Sequence, residues 1–312
     1  MAALAATALT ASASPGQAAE EAPRAASPKV LTYNTFLFNK LIYPNLGQDH
    51  RAEEIPQADF FQGNDVVVLQ EMYENGTSEN LMESAKSQYP HQTPVVGRTK
   101  DGWDATGGSY ATTLEDGGVT VLSKWPIKRK EQYVYKDGCG VDDLANKGFA
   151  YVELEVNGEP VHVVGTHVQS DDKLCSEGQA AEVRSKQFGE LNAFLDAKDI
   201  PTDEQVLVAG DFNVDSRSDE YPKMLADAGL EGADDRTGHA YSFDTQENTI
   251  AHARGAENPP RDLDYVLHRK GHAKPEGWTN EVYQEQSAPW TAPDGKEYSN
   301  LSDHYPVTGS AG

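Results

Sequence analysis

The run Val206-Leu207-Val208-Ala209-Gly210 ends in Asp211-Phe212-Asn213, so an apolar stretch delivers a carboxylate and an amide in quick succession. Four apolar residues in a row read as a buried strand. Gly210 is expected to allow a sharp exit. Residues i and i+2 of an extended chain share a side, which sets Asp211 beside Asn213. A buried pair of that kind needs a partner, either loop backbone or a substrate. The design recurs along the chain. Val30-Leu31-Thr32-Tyr33 leads into Asn34, Val66-Val67-Val68-Leu69-Gln70 into Glu71, and Val163-Val164-Gly165-Thr166 into His167. Leu263 stands between Asp262 and Asp264, and Ser302-Asp303-His304 precedes the last apolar stretch. If these strand ends share one rim, they converge on one pocket, the usual way in which loops on a sheet scaffold carry function.

The inventory selects a chemistry. One glutamate, several Asp and Asn, and no cluster of Cys or closely spaced His form a hard oxygen set. Such a set suits Mg²⁺ held by one or two carboxylates plus substrate phosphate. Zinc would want several His or Cys. Neither a G-x-S-x-G elbow nor a P-loop is present. What remains is metal-assisted hydrolysis of a phosphoester, with the metal polarising a phosphoryl oxygen and a histidine activating water. Each residue alone has an ordinary explanation: Asn34 as a turn residue, Glu71 as a surface charge, Asp303-His304 as a capping pair. His162 and His167 sit at odd spacing on one strand and face opposite sides, so His162 takes the exposed or structural role. The conjunction carries the argument.

Positioning these groups requires many strands. Residues 29–35 and 65–71 read as strands, as do 118–123, 150–156, 161–168, 206–213, 263–269 and 306–310. Asn157-Gly158 marks a hairpin. Asp49 is expected to cap a helix through residues 51–55, and Pro90 to stop one over 78–89. The longest helix is expected over 180–197, with Phe188, Leu191 and Leu195 on one stripe joined by Phe194, and a short one over 220–228. Strands with interspersed, non-alternating helices predict an α/β protein of sheets packed face to face with helices outside. No repeat or composition break divides residues 28–312, so one domain is expected there.

The chain has 312 residues, with 50 acidic against 26 basic and a formal charge of −24. Nucleic-acid binding rests on Lys and Arg neutralising phosphates, so a surface this acidic repels DNA, RNA and anionic lipid. Neutral or zwitterionic partners and a divalent cation remain. No apolar run after the N-terminus is long enough to span a bilayer. Residues 1–27 are rich in Ala, Ser and Thr with Ala-x-Ala-like sites, which reads as a signal-peptide remnant, with a disordered tail as the alternative. Cys139 and Cys175 lie in polar, loop-like settings that fit an exported protein.

The segments Tyr33-Asn34, Val68-Leu69-Gln70-Glu71, Gly165-Thr166-His167, Gly210-Asp211-Phe212-Asn213, Leu263-Asp264-Tyr265 and Ser302-Asp303-His304-Tyr305-Pro306 together resemble the endonuclease/exonuclease/phosphatase superfamily. Lys124-Trp125-Pro126-Ile127, Asn146-Lys147-Gly148-Phe149 and the placement of both cysteines narrow the resemblance to the bacterial neutral sphingomyelinases. It implies a four-layer α/β/β/α sandwich of the DNase I type. It also implies Mg²⁺-dependent hydrolysis of sphingomyelin to ceramide and phosphocholine by a secreted monomer, contacting zwitterionic membrane surfaces peripherally.

By position, the resemblance makes Glu71 the main metal ligand with Asn34 beside it. His304 would be the general base, Asp264 its orienting partner, and Asp303 a neighbour of both metal and base. Asp211 and Asn213 would hold water and phosphate, and His167 would bind phosphoryl oxygens and assist the leaving alkoxide. An edge metal site would fall on Asn75 and Asp116 with Glu115 close by, and Cys139 and Cys175 would form a disulfide. The branch's long aromatic-tipped hairpin is replaced by a shorter, more polar segment over 287–298, whose only tryptophan is Trp290. Interfacial anchor and ordinary packing both fit a single tryptophan. Tyr241, Phe243 and Tyr305 are candidates for an aromatic face toward the choline ammonium. A nuclease on the same scaffold, a phospholipase C acting on phosphatidylcholine, and a catalytically dead binding protein are the rivals.

Overall fold

Alternation along two short apolar strands explains the architecture. In Val30–Asn34, Leu31 and Tyr33 pack on one side with Ala52, Ile55 and Leu81, whereas Val30 joins a second cluster with Val163, Leu207 and Val266. Val66–Gln70 repeats the division, with Val67 and Leu69 on the first side and Val66 and Val68 on the second. Strands buried on both faces read as unbroken apolar runs because neither face meets water.

The computed structural model describes residues 27–312. The first part of the chain supplies β1 (Val30–Asn34), α1 (Gln48–Glu54), β2 (Val66–Gln70), α2 (Asn75–Ala85), β3 (His91–Gln92) and β4 (Ala105–Gly108). Next come β5 (Thr120–Ser123), β6 (Ile127–Val134), β7 (Gly148–Val156), β8 (Glu159–His167), α3 (Gln179–Asp196) and β9 (Gln205–Asp211). They are followed by α4 (Glu220–Ala228), β10 (Leu230–Glu231), β11 (Asp235–Gly238), α5 (Thr249–Gly255) and β12 (Asp264–Arg269). The last strands are β13 (Trp278–Val282), β14 (Trp290–Thr291), β15 (Glu297–Tyr298) and β16 (Val307–Ala311).

One sheet runs β11-β13-β16-β1-β2-β5-β3 and the other β10-β12-β9-β8-β7-β6-β4. Val30, Val66, Val68 and Val121 of the first meet Val152, Val163, Leu207 and Val266 of the second in the central core. Helices α1 and α2 cover the outside of the first sheet, and α3 and α4 that of the second through Phe188, Leu191, Leu195 and Met224. This is the expected four-layer α/β/β/α sandwich. At Gly165 the sheets come close: a Cβ there would lie 2.7 Å from Val68 Cγ1 and 3.1 Å from Val121 Cγ2.

Several local expectations are revised. Gly47, not Asp49, caps α1, in the left-handed conformation (φ 59°). Asp49 sits in the first turn and accepts from Lys40 Nζ at 2.7 Å and Thr77 Oγ1 at 2.5 Å. Helix α2 starts at Asn75 and ends at Ala85, earlier than expected, because Tyr89 turns inward to donate to the Phe61 carbonyl at 2.6 Å. Gly210 remains in β9, paired with Tyr265 and Thr166; the turn comes later, at Asn213 (φ 51°). The hairpin turn is as expected, with Asn157 and Gly158 at φ 54° and 92°. The export-signal reading of the N-terminus falls on residues outside those described, Ser27 apart.

Candidate active site

The inward-facing rows of the central core continue into the site. On β8 the row Val161, Val163, Gly165 ends in His167, on β9 Leu207 and Ala209 end in Asp211, and on the antiparallel β12 Asp264 opens the row that Val266 continues. Register sets His167 beside Asp211 and Asp211 beside Asp264. From the facing sheet, Asn34 ends β1 and donates from Nδ2 to Asp211 Oδ2 at 3.1 Å. Period-2 alternation thus turns a hydrophobic core into a polar rim within one residue step.

His304 enters from the loop before β16. Its Nδ1 lies 2.8 Å from Asp264 Oδ2 and its Nε2 3.8 Å from Asp211 Oδ2. Burial disfavours the charged ring, but Asp264, Asp211 and Asp303 outweigh it and push the imidazole up to about 10. Ser302 Oγ donates to the Asn34 carbonyl at 2.6 Å, tying this loop to β1. Asp303 is paired with Arg254.

Glu71 and Asn213, the residues at or just past the ends of β2 and β9, both adopt positive φ (55° and 51°). Non-glycine residues held there mark places where surroundings over-determine the backbone. Asn213 donates its backbone N–H to Asp211 Oδ1 at 2.9 Å and its Nδ2 to the Val168 carbonyl at 3.1 Å. The two side chains are therefore neighbours through a turn, not through strand alternation. Glu71 Oε2 is buried without a hydrogen-bond partner. Burial, then the nearby Asp303, pushes its carboxyl up to about 7. A hidden carboxylate oxygen with no donor, among other acids and amide oxygens, fits a hard divalent cation.

His167 is buried, and the Lys147 ammonium approaches its Nε2 at 3.2 Å. Lysine can only donate, so Nε2 accepts and the proton resides on Nδ1, which has no partner. Burial and then Lys147 hold the ring well below the usual histidine range. Lys147 is itself 5% exposed, and it also reaches Asp142 Oδ2 at 2.8 Å and the Val168 carbonyl at 3.1 Å. The sequence reading used Lys147 within a motif but gave it no role. A lysine between an amide and a glycine at a strand start was the available signal.

The model of the endonuclease/exonuclease/phosphatase family matches residues 31–304. A sphingomyelinase C from Listeria ivanovii is 41% identical over 94% of the chain and 88% of its own length. The chain belongs to the sphingomyelinase C branch of this family. Among solved structures, sphingomyelinase C from Streptomyces griseocarneus superposes with a TM-score of 0.90 at 62% identity, covering 91% of this chain and 99% of that one. Beta toxin from Staphylococcus aureus with bound magnesium ions gives 0.90 at 41% identity, covering 91% and 99%.

Other residues singled out in this sphingomyelinase C homologue fall differently. Cys139 and Cys175 form the expected disulfide. At the edge, both Asp116 oxygens are already engaged, by Arg98 Nε at 2.7 Å and the Gly118 N–H at 2.8 Å. Glu115 is pushed up to about 7 by burial, then by Asp116 and Glu74, while Asn75 is exposed in the first turn of α2. Trp290 is not an interfacial anchor. It is buried, with Nε1 donating to the Asn300 carbonyl at 3.1 Å and its ring lying where a Cβ on Gly47 would be, at 2.3 Å. Tyr305 likewise packs inward with Val282 and Val307, so it offers no open face. Phe243, half-buried, lies 5.0 Å from the His304 ring, and Tyr241 is covered by the Arg217 guanidinium at 4.6 Å. His162 is structural, bonded to Tyr151 Oη at 2.8 Å and Glu204 at 2.6 Å.

Arg51 was not anticipated. Fully buried, it donates to the carbonyls of Thr35, Phe36, Leu46 and Leu301. It staples the loop after β1 to the segment carrying Asp303 and His304.

Proposed function

We propose that this chain is a secreted, Mg²⁺-dependent phosphodiesterase that hydrolyses sphingomyelin to ceramide and phosphocholine. The observation that carries the reading is the His304–Asp264 pair at 2.8 Å, sharing one rim with the partnerless Glu71 Oε2. Its relatives, sphingomyelinases C by name, support the substrate. In this reading residues 28–312 act as one catalytic domain in a monomer, and residues 1–27 serve export.

Glu71 and Asn34 would hold the cation, with Asp303 close by. A bound Mg²⁺ supplies Lewis-acid polarisation of a phosphoryl oxygen and a charge that offsets the carboxylates around His304. His304 takes the proton of the attacking water at Nε2, because Nδ1 is committed to Asp264. Asp264 fixes the ring and stabilises the imidazolium. Asp211, oriented by Asn34 and by the Asn213 backbone, positions the water with Asn213. Attack in line forms the new P–O bond as the bond to the ceramide oxygen breaks. The Lys147 ammonium and His167 bind phosphoryl oxygens, and a proton from Lys147, handed on through His167 Nε2, neutralises that alkoxide. Phe243 and Tyr241 are the remaining aromatics for the choline ammonium. The edge residues Asn75, Glu115 and Asp116 would take a second cation only if Arg98 releases Asp116.

Parallel assays on sphingomyelin, phosphatidylcholine and DNA in Mg²⁺ test the reading. Phosphocholine release from sphingomyelin is expected. DNA cleavage without phosphocholine release overturns it in favour of a nuclease. Phosphatidylcholine hydrolysed as fast as sphingomyelin would broaden the substrate to choline phospholipids. The variant His304→Ala should lose at least about 10²-fold in turnover, and retained turnover would mean another base.

A further inference from the structure

Among the described residues, eight large apolar side chains are exposed, and seven of them lie on two groups of loops beside the candidate site. One group is the tip Leu41-Ile42-Tyr43 between β1 and α1, where Leu41 is 94% and Ile42 60% exposed. This loop is joined to Glu71 and its neighbours: the Leu37 N–H donates to the Glu71 carbonyl at 3.0 Å and the Lys40 N–H to Glu74 Oε2 at 2.7 Å. Its base is fixed by Trp290 packed on Gly47 and by Arg51 on the Leu46 carbonyl at 2.8 Å.

The second group flanks Lys147. Leu114 is 75% exposed, and its N–H donates to the Leu144 carbonyl at 3.1 Å. Asp172 accepts from both Val141 and Leu174, at 2.7 and 2.8 Å, and Leu174 is 74% exposed. Asp142, between Val141 and Leu144, is bonded to Lys147, which reaches His167. Each group is thus hydrogen-bonded to a different part of the candidate site.

We propose that these two apolar lips are the surface on which the protein seats on a zwitterionic lipid bilayer; the inference rests on the reading that the substrate is a membrane lipid. Exposed apolar residues gathered at one place mark an interaction surface, whereas scattered ones need no explanation. Charge restricts the partner. Lys40, the cation at the first tip, is paired with Asp49 at 2.7 Å, Lys173 at the second follows Asp171 and Asp172, and the chain carries −24 overall. Attraction to anionic lipid or nucleic acid is therefore absent, and apolar burial at the headgroup level is the remaining source of affinity. The buried Trp290 contributes from within, as the support of the first lip.

The test compares the full chain with Leu41→Ser/Ile42→Ser and with Leu114→Ser/Leu144→Ser. Co-sedimentation with sphingomyelin/phosphatidylcholine vesicles in Mg²⁺ reads binding. Turnover of vesicles is set against turnover of a water-soluble chromogenic choline phosphodiester. The expected result is a loss of vesicle binding and vesicle turnover of about tenfold or more in each double variant, with soluble turnover within about twofold of wild type. Wild-type vesicle binding by both variants overturns the inference, as does a wild-type protein that does not sediment with vesicles. A wild-type dimer that the variants abolish, with vesicle binding unchanged, would assign the lips to a second copy and also overturn it. Vesicle binding that depends on the lips in a protein releasing no phosphocholine would sink the substrate reading and leave the surface standing.

Discussion

Glu71 and Lys147 are the residues whose surroundings make the sharpest predictions. Glu71 has a folded-state pKa of about 7, raised above its ordinary value of 4.5 by burial and by Asp303. A carboxyl raised in this way contributes stability that is fully present below its unfolded pKa and is lost as pH rises through about 7. Cation binding needs the ionised form, so Mg²⁺ should raise the Tm by a few degrees at pH 8 and by clearly less at pH 5.5. Equal shifts at both pH values would remove Glu71 as the principal ligand. Lys147 is read differently. Replacing it by Met removes one of the influences that hold His167 down, leaving burial and His304 opposed by Asp211, and takes from Asp142 its cation while Ser170 still donates to it. Turnover of Lys147→Met should fall roughly 10²-fold with the circular dichroism spectrum unchanged. Full activity would show that the ammonium does not serve the reaction.

At the scale of elements, the strands that deliver the site were readable because both faces of each are buried. Unbroken apolar runs ending in Asn34, Glu71, His167 and Asp211 announced themselves. Those that were missed are short, polar or charged, or, like the interior strand Trp278–Val282, apolar only at their ends. Asp235–Gly238 and Ala105–Gly108 carry no apolar alternation, and half of Ile127–Val134 is charged. Side-chain direction was the other gap. Nothing in the local sequence says that Trp290 and Tyr305 point inward, or that Arg51 satisfies carbonyls from three separate segments. Packing supplies both facts. Two substitutions test this layer. Gly165→Val forces side chains between sheets already in contact and should cost about 1–3 kcal/mol by chemical denaturation. Arg51→Met leaves buried carbonyls without donors and should cost about 3 kcal/mol or more. A neutral Arg51→Met would mean that water replaces the guanidinium.

At the scale of the molecule, the disulfide closes a span of 36 residues and joins two parts of the second apolar lip, the loop before β7 and the loop after β8. Its removal as Cys139→Ser/Cys175→Ser should lower stability by roughly 3–4 kcal/mol, read from urea melts. The larger consequence belongs to the core between the sheets. His167, Asp211 and Asp264 are held on three adjacent strands, facing Asn34 from the opposite sheet. No joint separates these side chains from Val163, Leu207 and Val266 beneath them. Heat inactivation and loss of the near-ultraviolet signal should therefore share one midpoint. Activity that disappears well before the fold would place the weak point in the loops. With the strand-borne side chains built as the last course of the masonry, His167, Asp211 and Asp264 are brought together by folding itself, with no movement of one strand past another.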